Sequence, residues 1–131
     1  MKIRHAACNC GRLRLSTHAE PTRISICHCL ACQQRTGSAF GIQARFAEAD
    51  VQVEGQSTEY LRIAESGDAV RYGFCPICGS TLFYRLLGVP GTISVPVGGF
   101  ADPDFPAPTV SIYEEHRHRW LVLPDGIQHE Y

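Results

Sequence analysis

The chain has 131 residues, 44% of them hydrophobic and 19% charged, which suffices for one folded domain over residues 1–131 and is too apolar for a disordered segment. Twelve basic against thirteen acidic side chains leave a net charge of -1, which disfavours a surface that tracks nucleic-acid phosphates. No apolar run approaches the roughly 20 residues of a spanning helix and no signal-type N-terminus is present, so a soluble, cytoplasmic protein without a membrane partner is expected.

Residues from Lys2 to Ala7 lead into Cys8-Asn9-Cys10-Gly11, after which Arg12-Leu13-Arg14-Leu15-Ser16 alternates polar and apolar. This reads as a strand pair with cysteines at its corner. Positions i and i+2 of an extended chain face the same side, so Cys8 and Cys10 can point at one ion. After Glu20-Pro21, Arg23-Ile24-Ser25-Ile26-Cys27 alternates again and carries Cys27 and Cys29 toward a common side. His28, between them, is expected to point the opposite way. Leu30 to Thr36 is the one stretch with helical character, stopped at Gly37.

Phe40–Phe46, Val51–Val53, Thr58–Ile63 and Ala69–Phe74 read as short strands of an antiparallel meander, punctuated by Gly55 and Ser66-Gly67-Asp68. Cys75-Pro-Ile-Cys78-Gly79 interrupts them as a knuckle before further strands at Thr81–Leu86, Thr92–Val97 and Thr109–Tyr113. Trp120 follows and is expected to pack in the core.

The seven cysteines are odd in number and too closely spaced for an ordinary disulfide framework, which points to metal-bound thiolates in a reducing compartment. The knuckle offers two ligands. A thioredoxin-like redox role for the same C-x-x-C requires a strand–helix context, whereas its flanks are strands. Cys8 and Cys10 are the only other isolated pair, so Cys8, Cys10, Cys75 and Cys78 are expected to make a closed structural zinc site. Cys27, Cys29 and Cys32 remain as a three-thiolate zinc site whose fourth position is either closed by His28 or a later histidine, as in a structural zinc, or open to water or substrate, as in a catalytic one; the open site is the favoured expectation. Two zinc ions per chain are therefore expected. Gln33, Arg35, Thr36 and Ser38 follow at once as groups able to orient a substrate. Arg35 is suited to gripping a carboxylate with two hydrogen bonds, and Ser38 or a backbone N–H near Gly37 to stabilising an oxyanion. His116 and His118, an i, i+2 pair in a charged stretch, read as a solvated strand face.

The order C-x-C-G at Cys8–Gly11, then C-H-C-x-x-C at Cys27–Cys32 with Arg35 and T-G-S-x-F, then F-C-x-x-C-G-x-x-L at Phe74–Leu82, and a late Trp resembles the glutathione-dependent formaldehyde-activating enzyme family, which also includes centromere protein V. The resemblance covers roughly residues 4–121 and includes all seven cysteines. It implies a mainly-β fold of the β-tent type, built on antiparallel sheet, stapled by zinc at Cys8, Cys10, Cys75 and Cys78, with a catalytic zinc at Cys27, Cys29 and Cys32. It also implies a carbon–sulfur lyase-type activity in which a small thiol such as glutathione and a small aldehyde such as formaldehyde are joined or parted. The competing expectation is a non-catalytic scaffold, stapled by both zincs, that presents a surface to a protein partner.

Overall fold

The computed structural model describes residues 2–130. They form a mainly-β fold of eleven strands and one short α-helix: β1 (Arg4–Ala7), β2 (Arg14–Thr17), β3 (Arg23–Cys27), α1 (Leu30–Thr36), β4 (Gly41–Ala47), β5 (Val51–Glu54), β6 (Thr58–Ile63), β7 (Ala69–Phe74), β8 (Thr81–Leu86), β9 (Thr92–Pro96), β10 (Val110–Ile112) and β11 (Gln128–Glu130). None of these residues lies in a helix long and apolar enough to cross a membrane.

The strands divide into two sheets, one of three strands in the order β1-β2-β5 and one of eight in the order β11-β10-β3-β4-β9-β8-β7-β6. The expected meander is thus broken in the middle. The turn at Glu48–Asp50 lifts the chain off the large sheet, and β5 pairs with β2 instead of with its sequence neighbours. Pairing is antiparallel except at one edge, where β10 returns after the segment holding Pro103, Pro106 and Pro108 and runs parallel to both β3 and β11.

Period-two alternation explains the layering. On β3, β4 and β9 the apolar set Ile24, Ala44, Phe46, Ile93 and Val95 turns to one face, where it packs with Ala6 and Leu15 of the small sheet and with Leu13 of the turn that precedes β2. Phe100 and Phe105, stacked with centroids 4.7 Å apart, close this core. Glycine is required at position 73, because a Cβ there would lie 2.3 Å from the Phe83 ring packed over it. The other face of the large sheet carries no comparable apolar layer. Cross-strand partners share a face, so the registers Cys27↔Gly41, Ser25↔Gln43 and Arg23↔Arg45↔Ser94↔Tyr84↔Tyr72 turn a polar and aromatic set to one side.

Trp120 is not in the core. It is 69% exposed, and its ring meets that of His118 edge-on, with centroids 5.8 Å apart. Phe46, Phe100 and Phe105 already fill the interior, and an indole N–H buried there would need a partner.

Candidate metal centre and substrate cavity

The four cysteines of the first cluster meet where the β1–β2 turn reaches the knuckle between β7 and β8. Their sulfurs all lie within 4.8 Å of one another. Cys8 Sγ is 3.6 Å from Cys10 Sγ, which is 3.7 Å from Cys75 Sγ. A tetrahedral ion with metal–sulfur bonds of about 2.3 Å has sulfur–sulfur edges of roughly 3.8 Å, so the spacing fits such an ion. Backbone geometry prepares the sulfurs as acceptors: Leu13 N–H donates to Cys8 Sγ (3.2 Å), and the Ile77 and Cys78 N–H groups to Cys75 Sγ (3.4 and 3.5 Å). Gly79, at φ 81°, makes the tight return of the knuckle in a conformation that a side chain would strain. Hydrogen bonding with Ser80 brings Cys78 down to about 5, and the Arg12 backbone lowers Cys10, so both favour the thiolate form that a metal requires.

Cys27, Cys29 and Cys32 form the second cluster, again with sulfurs within 4.8 Å of one another. Cys27 ends β3, Cys29 caps α1 and Cys32 lies in its first turn. The Cys29 sulfur accepts the Cys32 N–H at 3.3 Å, as an N-cap oxygen would. The helix ends at Gly37 in the left-handed region (φ 68°), with the Gly37 N–H bonded to Gln33 O. Hydrogen bonds from Cys27 and Cys32 push Cys29 down to about 2, while its bond to Cys29 and burial push Cys27 far up. His28 does not join this group. Its ring is fully buried on the opposite side, with Nε2 2.9 Å from Ser111 Oγ, and burial lowers its pKa so that it is neutral at pH 7.

The two clusters differ in what they face. Cys27, Cys29 and Cys32 all line a cavity of about 240 Å³ on the polar face of the large sheet, and none of the first four cysteines does. Arg35 extends from α1 over the rings of Tyr84 and Tyr72 at 5.6 and 5.9 Å, with Nη2 4.0 Å from Cys32 Sγ. Gly41, opposite Cys27, makes room for it, since a Cβ there would come within 3.0 Å of that guanidinium and 3.6 Å of the Cys32 sulfur.

Of the four polar residues after Cys32, Arg35 alone reaches the cavity. The Gln33 amide donates to the carbonyls of His28 (2.8 Å) and His116 (3.0 Å), and its Oε1 lies 2.9 Å from His118 Nε2, so it fastens the segment after β10 to the helix. Thr36 Oγ1 reaches Cys32 O at 2.8 Å and accepts from Ser38 N–H at 3.1 Å. Ser38 is exposed beyond Gly37 and does not line the cavity. The histidine pair is not a strand face either: His116 lies in the 3-10 turn Glu114–His116 and lines the cavity, and His118 is held by Gln33.

Several cavity residues escaped the sequence reading: Arg45, Gln43, Arg62, Tyr72, Tyr84 and Tyr113. The first five face it because alternation puts them opposite the core, and polar residues alternating with Ile24, Ala44 and Ile93 were the available signal. Tyr113 sits at φ 58°, an unfavourable conformation for a side-chain-bearing residue and one that marks functional sites. Burial, then the charge of Cys27 and Cys29, raises its hydroxyl pKa, so it keeps its proton at neutral pH.

Residues 3–116 match the family model described as glutathione-dependent formaldehyde-activating enzyme. Among solved structures, the crystal structure of a Rhodobacter sphaeroides protein is similar in fold, with a TM-score of 0.59 and 20% identity over 78% of this chain and 90% of that one. No curated protein matches the chain. With all seven cysteines gathered into two metal-competent clusters and the family model spanning most of the sequence, the chain belongs to the glutathione-dependent formaldehyde-activating enzyme family.

Proposed function

We propose that this protein is a zinc-dependent enzyme of carbon–sulfur lyase type, which forms or cleaves the adduct of a small thiol and a small aldehyde. Glutathione and formaldehyde, giving S-hydroxymethylglutathione, are the pair that the family suggests. Zinc suits both clusters, because thiolates select it and it accepts them tetrahedrally without redox chemistry. In this reading Cys8, Cys10, Cys75 and Cys78 hold a structural ion, and Cys27, Cys29 and Cys32 hold a catalytic one. The observation that carries the reading is that all three cysteines of the second cluster line one cavity together with four arginines and the side chains of Tyr72, Tyr84 and Tyr113, whereas of the other four cysteines Cys8 lines a second cavity in which no further cysteine takes part. A scaffold stapled by two ions has no use for such a lining.

Bound by three thiolates, zinc would supply a position at which an entering thiol is held as its thiolate, the nucleophilic form. The chain's own residues do the rest. Arg35 beside Cys32, and Arg62 near Cys29, offset the negative charge that accumulates when another thiolate joins three. The Tyr72 and Tyr84 rings fix the Arg35 guanidinium by cation–π contact, so it need not reorganise during the reaction. In the forward direction the substrate sulfur bonds to the aldehyde carbon and the carbonyl π pair moves to oxygen. Tyr113, still protonated, donates to that oxygen, and the product is a neutral hemithioacetal. Entry of the thiol releases one proton, which returns Tyr113 to its protonated form; cleavage is the reverse, with the hemithioacetal hydroxyl proton passing by way of Tyr113 to the departing thiol.

The test is to measure, by exchange NMR, the interconversion of glutathione plus formaldehyde with S-hydroxymethylglutathione. The metal-loaded protein is expected to accelerate exchange above the spontaneous rate, and Cys29→Ser to abolish the acceleration while staying folded. A fully loaded wild-type protein that leaves the rate unchanged refutes the assignment.

A further inference from the structure

Four arginines line the cavity, and three are already engaged. Arg23 donates to both carboxylate oxygens of Glu130, at 2.8 and 3.3 Å. Arg35 lies over the two tyrosine rings beside Cys32. The Arg62 Nε donates to Tyr72 Oη at 3.2 Å. Arg45, half-buried on β4, makes no side-chain hydrogen bond or ion pair among the described residues, although its charge acts at longer range on the Glu130 carboxylate, whose two oxygens Arg23 already holds. Two positions away on the same strand and face is Gln43, only 7% exposed. Its Nε2 donates to Ser25 Oγ at 3.0 Å, but its Oε1 is buried without a partner.

Buried polar groups are almost always satisfied, and an orphaned acceptor costs free energy until something donates to it. Arg45 and Gln43 therefore ask for two complementary groups side by side. The guanidinium fork matches a carboxylate, and the amide oxygen matches an N–H. Their distance from the cysteines follows from the strand register. Arg45 pairs with Arg23, four residues before Cys27 on β3, which is roughly 13 Å along an extended chain. Glu65 and Asp68, between β6 and β7, line the cavity without ion pairs among the described residues, so a carboxylate is repelled by that part of the lining and drawn to Arg45.

We propose that Arg45 and Gln43 form a remote recognition subsite for a carboxylate accompanied by an N–H group, carried on the thiol on the order of 10 Å from its sulfur, and that this subsite sets the thiol selectivity of the cavity. The inference rests on the reading that the three-cysteine cluster takes the thiol sulfur. It assigns the carboxylate to Arg45 and leaves Arg35 to act at the sulfur. A peptide-sized thiol such as glutathione spans the two ends. Cysteine and mercaptoacetate, whose carboxylates lie only a few bonds from sulfur, cannot.

Calorimetric titration of the zinc-loaded full chain with glutathione, mercaptoacetate and β-mercaptoethanol tests this. Arg45→Gln is expected to raise the dissociation constant for glutathione about tenfold, the equivalent of roughly 1.4 kcal/mol, and to leave the two short thiols within about twofold. Esterifying the carboxylates of glutathione should weaken its binding to the wild type by a similar factor, an arm that does not depend on the variant folding. Loss of affinity for all three thiols alike, or full affinity for the ester, overturns the subsite while leaving the thiol-binding reading intact. If no thiol binds the loaded wild type, both readings fall together.

Discussion

Replacing Cys75 and replacing Cys29 should have opposite consequences, although each removes one thiolate from a cluster. Cys75 is fully buried in the main core and joins β7–β8 to the β1–β2 turn some 65 residues earlier in the chain. Metal binding at a structural thiolate site of this kind is worth about 10 kcal/mol or more of folding free energy, comparable to the roughly 5–15 kcal/mol total stability of a domain. A serine at 75 forfeits most of that and leaves a buried hydroxyl, so Cys75→Ser is expected to lose cooperative unfolding at room temperature. Cys29 is half-buried at the cavity wall, outside either core cluster. Its structural duty is to cap α1, and serine is a preferred N-cap residue. Cys29→Ser should therefore keep its fold, melt within a few degrees of the wild type and contain one ion fewer. Circular dichroism melting with metal analysis of both variants checks the difference. Equal unfolding of both, or a folded Cys75→Ser protein that has lost only one ion, would refute the division into structural and open sites.

Metal uptake at the three-cysteine cluster should depend on pH in a definite direction. At neutral pH Cys29 is a thiolate, whereas Cys27 and Cys32 have raised pKa values and hold protons that an ion must displace, so affinity rises with pH by up to about two protons per ion. Proton release measured by calorimetry in buffers of different ionisation enthalpy checks this, and release of no protons contradicts it. Gly73→Ala forces the Phe83 ring away from a 2.3 Å approach and should destabilise the fold by about 1–3 kcal/mol in denaturant unfolding. Trp120→Ala, at a side chain 69% exposed, should change stability by less than about 0.5 kcal/mol by the same assay.

The strands flanked by clear punctuation were legible in the sequence. β3, β6, β7, β8 and α1 fall where alternation, Gly37 and the Ser66-Gly67-Asp68 turn put them, and the cysteine spacings separated the two clusters before any coordinates. Pairing between distant strands was not legible. Nothing local reveals that β5 leaves its neighbours for β2, or that β10 and the polar β11 run parallel beside β3, because those choices are made by long-range packing. The cavity was hidden for a related reason. Gln43 and Arg45 alternate with Ala44 and Phe46 just as solvent-facing residues would, and alternation alone cannot distinguish a wet outer face from a lined pocket. Trp120 misled because side-chain size argues for burial, whereas the core had room only for the phenylalanines.

The central claim is that the three-cysteine cluster offers a thiol a place on a metal ion. Replacing the ions with cobalt(II) and recording the visible spectrum while glutathione is added tests it most directly. The account predicts a growing sulfur-to-cobalt charge-transfer band that saturates at one thiol per chain, is absent in Cys29→Ser and persists when only the four-cysteine site is left with zinc. A fully cobalt-loaded protein whose spectrum is unchanged by saturating thiol would contradict it.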